Sequence, residues 1–309
     1  MTTTARTATV PFAKGHGCEN TFLVLLDPHG RIHLTAETVS HLTDPLTGAA
    51  ADGILRAVRC TAAPEAAAMA HRAHWFMDYR NADGSRGAMC GNGIRVLARY
   101  LVDTGLCPPG ALAIATRAGL RQIRVPDRSD SLQGPVAVAM GTPVFPGPDH
   151  ITVTAADGKT RPATHVDMGN PHAVVFLDDP ADAGTLHTGP AVEPASAYPD
   201  GVTTEFATVL SPHHLAVRVH ERGVGETRAC GTGACAAVAA HRRHTGQSGA
   251  ADYRVDFPGG ILRLSVTADG AMTLTGPAAI TALGSIRLPR DVTAERDPTP
   301  EKGRTVFVR

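Results

Sequence analysis

One short pattern occurs twice in the sequence, once in each half of the chain. The segments MCGNGIR and ACGTGAC carry Cys90 and Cys230, which lie 140 positions apart (230 minus 90). The likeness extends upstream, where Asn81 and Glu221 each stand nine positions before their cysteine. Two copies at this distance do not make a solenoid. The repeat therefore predicts two similar domains, with equivalent helix starts facing each other across their interface.

Most of the sequence has the pattern of β-strands. Short Val/Ile/Leu runs and alternating segments, bounded by Gly, Pro and Asp, predict strands that include 21–26, 172–177, 215–221 and 261–266. Residues 93–103 and 233–244 predict helices, and each helix directly follows a cysteine motif. The second helix is alanine-rich, so we expect it to be buried on all sides. We predict an α+β fold of two pseudo-symmetric domains, each a curled, mainly antiparallel sheet around a central helix, with the active site at the domain interface.

The length of 309 residues suits two domains. The polar, Gly/Pro-marked segment RSDSLQGP predicts a boundary that divides an N-terminal domain, residues 1–133, from a C-terminal domain, residues 134–280. Part of 281–309 is expected to return to the first domain. The tail 290–309 is expected to contribute little to a hydrophobic core, apart from a short VFV segment that can pair at a sheet edge.

Charge and hydropathy limit the classes of partner. Twenty-nine basic and twenty-nine acidic residues cancel, which argues against nucleic acid or an anionic membrane and favours a small-molecule partner. The N-terminus lacks a secretory signal, and no apolar run is long enough for a membrane span. We therefore expect a cytoplasmic chain, in which the six cysteines are free thiols.

The chemistry predicted for the motifs depends on the helix starts. A cysteine there lies beside unpaired N–H groups and the positive end of the helix dipole, both of which favour the thiolate. The N–H groups of residues 91–92 and 231–232 can together hold one carboxylate. Two thiols across such a carboxylate suit proton removal on one face of a carbon and proton delivery on the other. Taken alone, such a motif is more often a buried thiol in a glycine turn or a weak relative of phosphate-binding loops, and it is the matched second copy that favours the functional interpretation.

No metal site is predicted. Neither motif contains a C-x2-C pair, and Cys230 with Cys235 has poor spacing for zinc. His241 and His244 are better explained as partners of the dipole at the end of their helix.

With these motifs in place, the sequence resembles the diaminopimelate epimerase family over about residues 10–288. The resemblance is carried by the two cysteine motifs and by KGHGCENTF, NADGS, TRAG, MGNPH, HERGVGETRACGTGAC, PGG and TGPA. It implies an isomerase that inverts one centre of LL-2,6-diaminopimelate to give the meso form, without pyridoxal phosphate, in lysine biosynthesis. Cys90 and Cys230 match the two acid/base thiols of the family.

The resemblance also implies residues around the thiols. His172 and Glu221 match residues that tune thiol ionisation, and Glu221 can also hold the substrate ammonium. The positions that match backbone or side-chain contacts to substrate are Asn20, Asn81, Gly91, Asn92, Asn170, Thr203, Arg222, Gly231 and Thr232.

Three departures from the family pattern concern the substrate pocket. The usual Asn-Asp-Phe is Asn20-Thr21-Phe22, and the usual GVNVEF is GVTTEF, which places Thr203 where the family has asparagine. Residues 44–53 also lack the usual arginine- and glycine-containing run. Thr203 replaces an amide with one hydroxyl, at a cost of about 1–3 kcal/mol if a buried substrate group loses its partner. These changes affect the distal end of the pocket and leave the thiol motifs intact.

Several alternatives remain open on the sequence alone. A paralogue could racemise another amino acid by the same mechanism, which Thr21 and Thr203 favour. A non-catalytic protein could use the helix starts to bind a carboxylate, although it would need neither cysteine. An isomerase of related fold with one carboxylate base would carry Glu or Asp in place of Cys90. A homodimer is one of the assemblies that the sequence allows.

Overall fold

The computed structural model describes residues 7–127, 133–147 and 150–289. Within these ranges strands greatly outnumber helices. The α-helices are α1 (Ala36–Thr43), α2 (Gly91–Asp103) and α3 (Gly231–Thr245). The strands are β1 (Thr7–Gly17), β2 (Asn20–Leu26), β3 (Gly53–Arg59), β4 (Trp75–Asn81), β5 (Gly110–Thr116), β6 (Gly119–Val125), β7 (Gln133–Gly141), β8 (Ile151–Thr154), β9 (Thr160–Asp167), β10 (Pro171–Phe176), β11 (Ala191–Glu193), β12 (Thr203–Ser211), β13 (His214–Glu221), β14 (Gly225–Thr227), β15 (Ala251–Phe257), β16 (Gly260–Val266) and β17 (Met272–Pro289).

The strand pairing repeats between the two halves of the chain. In the first half β1–β2 is antiparallel, β2–β3 parallel, β3–β4 antiparallel, β4–β5 parallel, and β5–β6 and β6–β7 antiparallel. The second half repeats this order in the pairs β9–β10, β10–β12, β12–β13, β13–β15, β15–β16 and β16–β17. The predicted α+β fold of two similar, mainly antiparallel sheets is therefore confirmed.

The long strand β17 connects the two sheets. Its residues 272–279 pair antiparallel with β7, and its residues 279–289 pair antiparallel with β1. The predicted domain boundary between residues 133 and 134 stays a prediction, because 128–132 lie outside the described residues. The predictions for the tail 290–309 also lie outside them. Of the segment 281–309, part of which was expected to return to the first domain, residues 282–289 are described and pair with β1.

The helices α2 and α3 form the centres of the two halves. Helix α2 packs against β1, β2, β7 and β17, and α3 packs against β9, β10, β12 and β13. The first eleven residues of α2 are buried, as is nearly all of α3 through His241, which confirms the expectation for the second helix. Both helices begin two residues earlier than predicted, because each motif cysteine is itself the N-cap. No helix in the described ranges is long and apolar enough to span a membrane.

Candidate active site

The N-terminal ends of α2 and α3 meet between the two halves. A Cβ atom added to Gly91 would lie 3.2 Å from Cα of Gly231, and the reverse contact is also 3.2 Å. Only glycine allows two helix starts to approach this closely without displacement. Cys90 and Cys230 immediately precede these glycines, so the contact brings both motif cysteines to one place.

Each motif thiol caps its own helix. The backbone N–H of Gly93 donates to Cys90 Sγ at 3.3 Å, and that of Gly233 donates to Cys230 Sγ at 3.4 Å. The two caps are therefore equivalent, as the sequence repeat predicts. An N–H donor and the positive helix end both stabilise negative charge on sulfur.

A cleft opens over these caps. It consists of cavities of about 400 Å³ and 480 Å³ that share Tyr79, Asn81, Cys90 and Glu221 in their walls. Every site residue predicted from the sequence lines this cleft except His172. The lining residues are Asn20, Asn81, Cys90, Gly91, Asn92, Asn170, Thr203, Glu221, Arg222, Cys230, Gly231 and Thr232.

Asn92 joins the two halves at the cleft floor. Its Nδ2 donates to the carbonyl of Ala229 at 2.8 Å and to Oδ1 of Asn20 at 3.4 Å. Asp52 anchors this corner, since its carboxylate accepts from Asn20 Nδ2 at 2.8 Å and from the backbone N–H of Thr21 at 2.7 Å. The side chain at position 21 is therefore not needed for this anchor, because the backbone makes the contact.

The far end of the cleft carries Thr203 and Arg222. The Thr203 hydroxyl accepts from the backbone N–H of Arg222 at 3.3 Å, and the guanidinium of Arg222 donates to the carbonyl of Asp200 at 3.3 Å. On the opposite wall Asn81 accepts from the Tyr79 hydroxyl at 2.5 Å. Tyr79 is a lining residue that the sequence analysis missed, because an aromatic residue in the sequence resembles any other core position.

Burial favours the protonated form of both thiols. Loss of water around Cys90 raises its pKa to about 12, with Glu221 raising it further and the N–H groups of Gly93 and Asn92 lowering it. Burial also raises the pKa of Cys230 well above its usual value, and the charges of Glu221 and Glu205 act in the same direction.

The charge of Glu221 raises the pKa of both thiols. Burial raises the pKa of its carboxyl group, while hydrogen bonds from the Thr227 hydroxyl and the Cys230 thiol lower it. A charged Glu221 opposes thiolate formation at both cysteines. A substrate ammonium that pairs with Glu221 would remove this opposition.

His172 does not line the cleft. The sequence analysis expected it close to the thiols, and the structure places it beside Glu205. Its ring is fully buried, and Nδ1 lies 2.7 Å from Oε1 of Glu205, which is also fully buried. The sequence analysis missed Glu205. A carboxylate in the middle of the strand segment TTEFAT was the available signal, because an acidic residue is rarely buried without a partner.

Arg95 is a second buried residue that the sequence analysis missed. Its side chain is fully buried within α2 and donates to the carbonyl of Gly91 at 3.0 Å and to Asn92 Oδ1 at 2.9 Å. Arg95 therefore holds the helix start and the amide that bridges the halves. Its charge also lowers the pKa of Cys90, against the larger effect of burial.

The described residues contain no group of three or more His, Cys, Asp or Glu side chains arranged to bind a metal ion.

The contact between the helix starts gives a first testable prediction. We expect Gly91→Ala to lower kcat/KM by about tenfold to a hundredfold, because the new Cβ must push Gly231 away and a small misplacement of reacting groups is costly. The melting temperature should change less. Gly147→Ala is the matched control, since nothing lies within 4 Å of its added Cβ. Equal activity of the two variants would contradict the required close approach.

Comparison with known proteins identifies relatives across most of the chain. The family model described as diaminopimelate epimerase matches residues 12–146 and 164–281. A diaminopimelate epimerase of Streptomyces coelicolor is 47% identical over 280 residues, covering 89% of this chain and 94% of that protein. One of Thermobifida fusca is 43% identical over 282 residues, covering 90% and 98%.

Solved structures share the fold at much lower identity. A hydroxyproline epimerase from Agrobacterium vitis superposes with a TM-score of 0.64 at 15% identity, covering 91% of this chain and 93% of that one. This likeness extends over both halves, so it supports the architecture and nothing finer. The choice of substrate has to come from the cleft and from the closer relatives.

Proposed function

Because the chain belongs to the diaminopimelate epimerase family and is thus an isomerase, we propose that it converts LL-2,6-diaminopimelate to the meso form. In this proposal Cys90 and Cys230 transfer the proton, no pyridoxal phosphate takes part, and the product supplies lysine and cell-wall synthesis. The carrying observation is that two thiol-capped helix starts touch at Gly91 and Gly231 beneath one cleft.

The proposed reaction begins with the substrate carboxylate at the paired helix starts. Backbone N–H groups there neutralise its charge and so acidify the neighbouring C–H bond. One cysteine, as thiolate, removes the proton from one face of the carbon. The other, as thiol, delivers a proton to the opposite face, and the configuration inverts. Exchange of the two roles runs the reaction backwards, which is why two similar groups suit it.

The raised pKa values of the two thiols are consistent with this sequence of steps. Both thiol pKa values are raised, so a resting thiolate would be scarce near neutral pH. A substrate ammonium beside Glu221 brings a positive charge close to both sulfur atoms and lowers their pKa values. Proton removal would then follow binding of the substrate ammonium.

A second candidate function keeps the mechanism and changes the substrate. It rests on Thr203, whose hydroxyl already accepts from the backbone N–H of Arg222 and so offers the distal end of a substrate a single donor. An amino acid with a different distal group could fill that end equally well. The chemistry at Cys90 and Cys230 would be unchanged.

The substrate is tested with purified protein and no added pyridoxal phosphate. LL-diaminopimelate, L-proline, trans-4-hydroxy-L-proline and L-glutamate are incubated separately, and inversion at Cα is followed by chiral chromatography. The proposal predicts conversion of LL- to meso-diaminopimelate. Inversion of another amino acid alone would favour the second candidate, and inversion of none, with retained binding, would favour a carboxylate-binding protein.

Position 203 gives a prediction on specificity. We expect Thr203→Asn to lower KM for diaminopimelate by about tenfold, because an amide can accept from the Arg222 N–H and still donate to the distal group. Steady-state kinetics measures the change. Thr204→Val is the matched control, since Thr204 is the next residue of β12 and its hydroxyl has no partner among the described residues. A KM that rises in Thr203→Asn would contradict the assignment of Thr203 to the distal end.

A further inference from the structure

A buried acid and a buried imidazole form a pair beneath the start of α3. Glu205 and His172 are both fully buried, and Nδ1 of the ring lies 2.7 Å from Oε1 of the carboxylate. The other polar atoms of the pair, His172 Nε2 and Glu205 Oε2, have no hydrogen-bond partner among the described residues. Burial of a carboxylate with a single hydrogen-bond partner costs folding free energy. We therefore expect this pair to have a function that offsets the cost.

The pair lies on the sheet face that carries the cleft. His172 of β10 is in parallel register with Thr203 of β12, and Thr203 lines the cleft. Glu205 is two residues beyond Thr203 on the same strand, so its side chain leaves the same face. Helix α3 packs on both strands. The pair is therefore enclosed between the sheet and α3.

The pair contacts α3 at Gly233, the residue whose N–H group is capped by Cys230. A Cβ atom on Gly233 would lie 2.6 Å from Glu205 Oε1, so the carboxylate lies directly against the helix start. The N–H of Gly233 is the donor to Cys230 Sγ. After burial and Glu221, Glu205 is also a cause of the raised pKa of Cys230. Glu205 thus raises the pKa of Cys230 from a position outside the cleft lining.

We propose that Glu205 is a positioning residue of the active site: it fixes the ring of His172 through Nδ1 and holds a carboxylate beneath the start of α3 that sets the ionisation of Cys230. The carboxylate–imidazole bond selects one ring orientation and one tautomer, as such bonds do elsewhere. Nε2 is then left without a hydrogen-bond partner among the described residues. This role deepens the proposed function and rests on it only for the kinetic measurements below.

Titratable groups on several surrounding elements interact electrostatically with this pair. Cys230 belongs to α3, Glu221 to β13, His165 to β9, and Tyr198 precedes β12. Burial raises the pKa of the Glu205 carboxyl group, and the neighbouring His172 lowers it.

Thiol alkylation tests the proposal without any substrate. The full-length protein is treated with iodoacetamide between pH 6 and 10, and modification of Cys230 and Cys90 is followed separately by mass spectrometry. In Glu205→Gln, which keeps the shape and an acceptor, we expect the profile of Cys230 to move by about half a pH unit or more to lower pH. Cys90 should keep its profile and is the internal control. An unmoved Cys230 profile would overturn the proposal.

A double-mutant cycle tests the link to His172. His172→Asn retains a donor for Glu205 but lacks Nε2, and we expect it and Glu205→Gln each to lower kcat by about tenfold or more with little change in KM. The double variant should lose no more than the worse single variant. Losses that multiply would contradict a shared role. If the Cys230 alkylation profile shifts in Glu205→Gln but the wild-type protein shows no turnover, the proposed function is contradicted and the positioning role of Glu205 is not.

A structural control separates positioning from loss of a buried side chain. His241 is nearly fully buried on the same helix, at the end remote from the cleft, and its Nε2 lies 3.0 Å from the carbonyl of Pro212. His241→Gln should lower the melting temperature without moving the Cys230 alkylation profile. A shift as large as that in Glu205→Gln would mean that loosening α3 explains both results, and the proposal would fail.

Discussion

Cys90→Ser and Cys230→Ser are each expected to lower kcat/KM by about 10²–10⁴-fold, the usual contribution of a positioned acid or base. Serine keeps the size and a capping acceptor for Gly93 or Gly233, so the helix starts should stay in place. Its hydroxyl, however, ionises far less readily than a thiol. Steady-state epimerisation in both directions measures the loss, and each variant should fail in both directions.

Cys235→Ala is the matched control for these two variants. Cys235 is fully buried one turn further along α3, among alanines, and it does not line the cleft. We expect its activity to stay within about twofold of the wild type, with a modest loss of stability. Full turnover of either motif variant would contradict the two-thiol mechanism.

Arg95→Met is expected to have the second largest effect. It removes the donors to the Gly91 carbonyl and to Asn92 Oδ1, which are buried beside the paired helix starts. Each lost partner costs about 1–3 kcal/mol of unfolding free energy. With Asn92 free to turn, its bond to the Ala229 carbonyl weakens, and we expect kcat/KM to fall by about a hundredfold.

Arg99→Met separates this effect from general damage to α2. Arg99 is also buried on α2, one turn further from the cleft, and it donates from Nε to Asp103 at 2.9 Å. Urea unfolding should show a loss of stability in both variants. Only Arg95→Met should lose activity when measured at a temperature where both are folded. Equal kcat/KM values for the two would contradict the positioning of Asn92 by Arg95.

The sequence was sufficient for the fold class because the repeat is a property of the chain itself. Equivalent motifs at Cys90 and Cys230 predict equivalent helix starts, and the strand pairs around α2 and α3 recur in the same order. The strand pairing of β17 could not be predicted from the sequence. Its 18 residues pair with β7, β16 and β1 in turn, and such non-local pairing leaves no local signal.

Some residues of the candidate site could be predicted from the sequence, and others could not. The cysteines, glycines and polar residues of the two motifs were predicted because their chemistry and their spacing are both visible in the chain. Arg95 and Tyr79 have hydrogen-bond partners close in sequence, but their burial beside the cleft appears only in the folded chain. Glu205 was missed because its partner is far away in sequence. Glu205 meets His172 across two strands, and its contact with Gly233 exists only once α3 is packed on the sheet. Burial and pairing of this kind are tertiary properties.

The isotope content of the first product tests the central claim most directly. One stereoisomer of diaminopimelate is incubated with the wild-type protein in deuterated water, and substrate and product are separated at low conversion for mass spectrometry. If Cys90 and Cys230 work on opposite faces of the carbon, the product carries solvent deuterium at Cα while the remaining substrate keeps its hydrogen. A product that retains the substrate's own hydrogen would indicate one base serving both faces and would contradict the account.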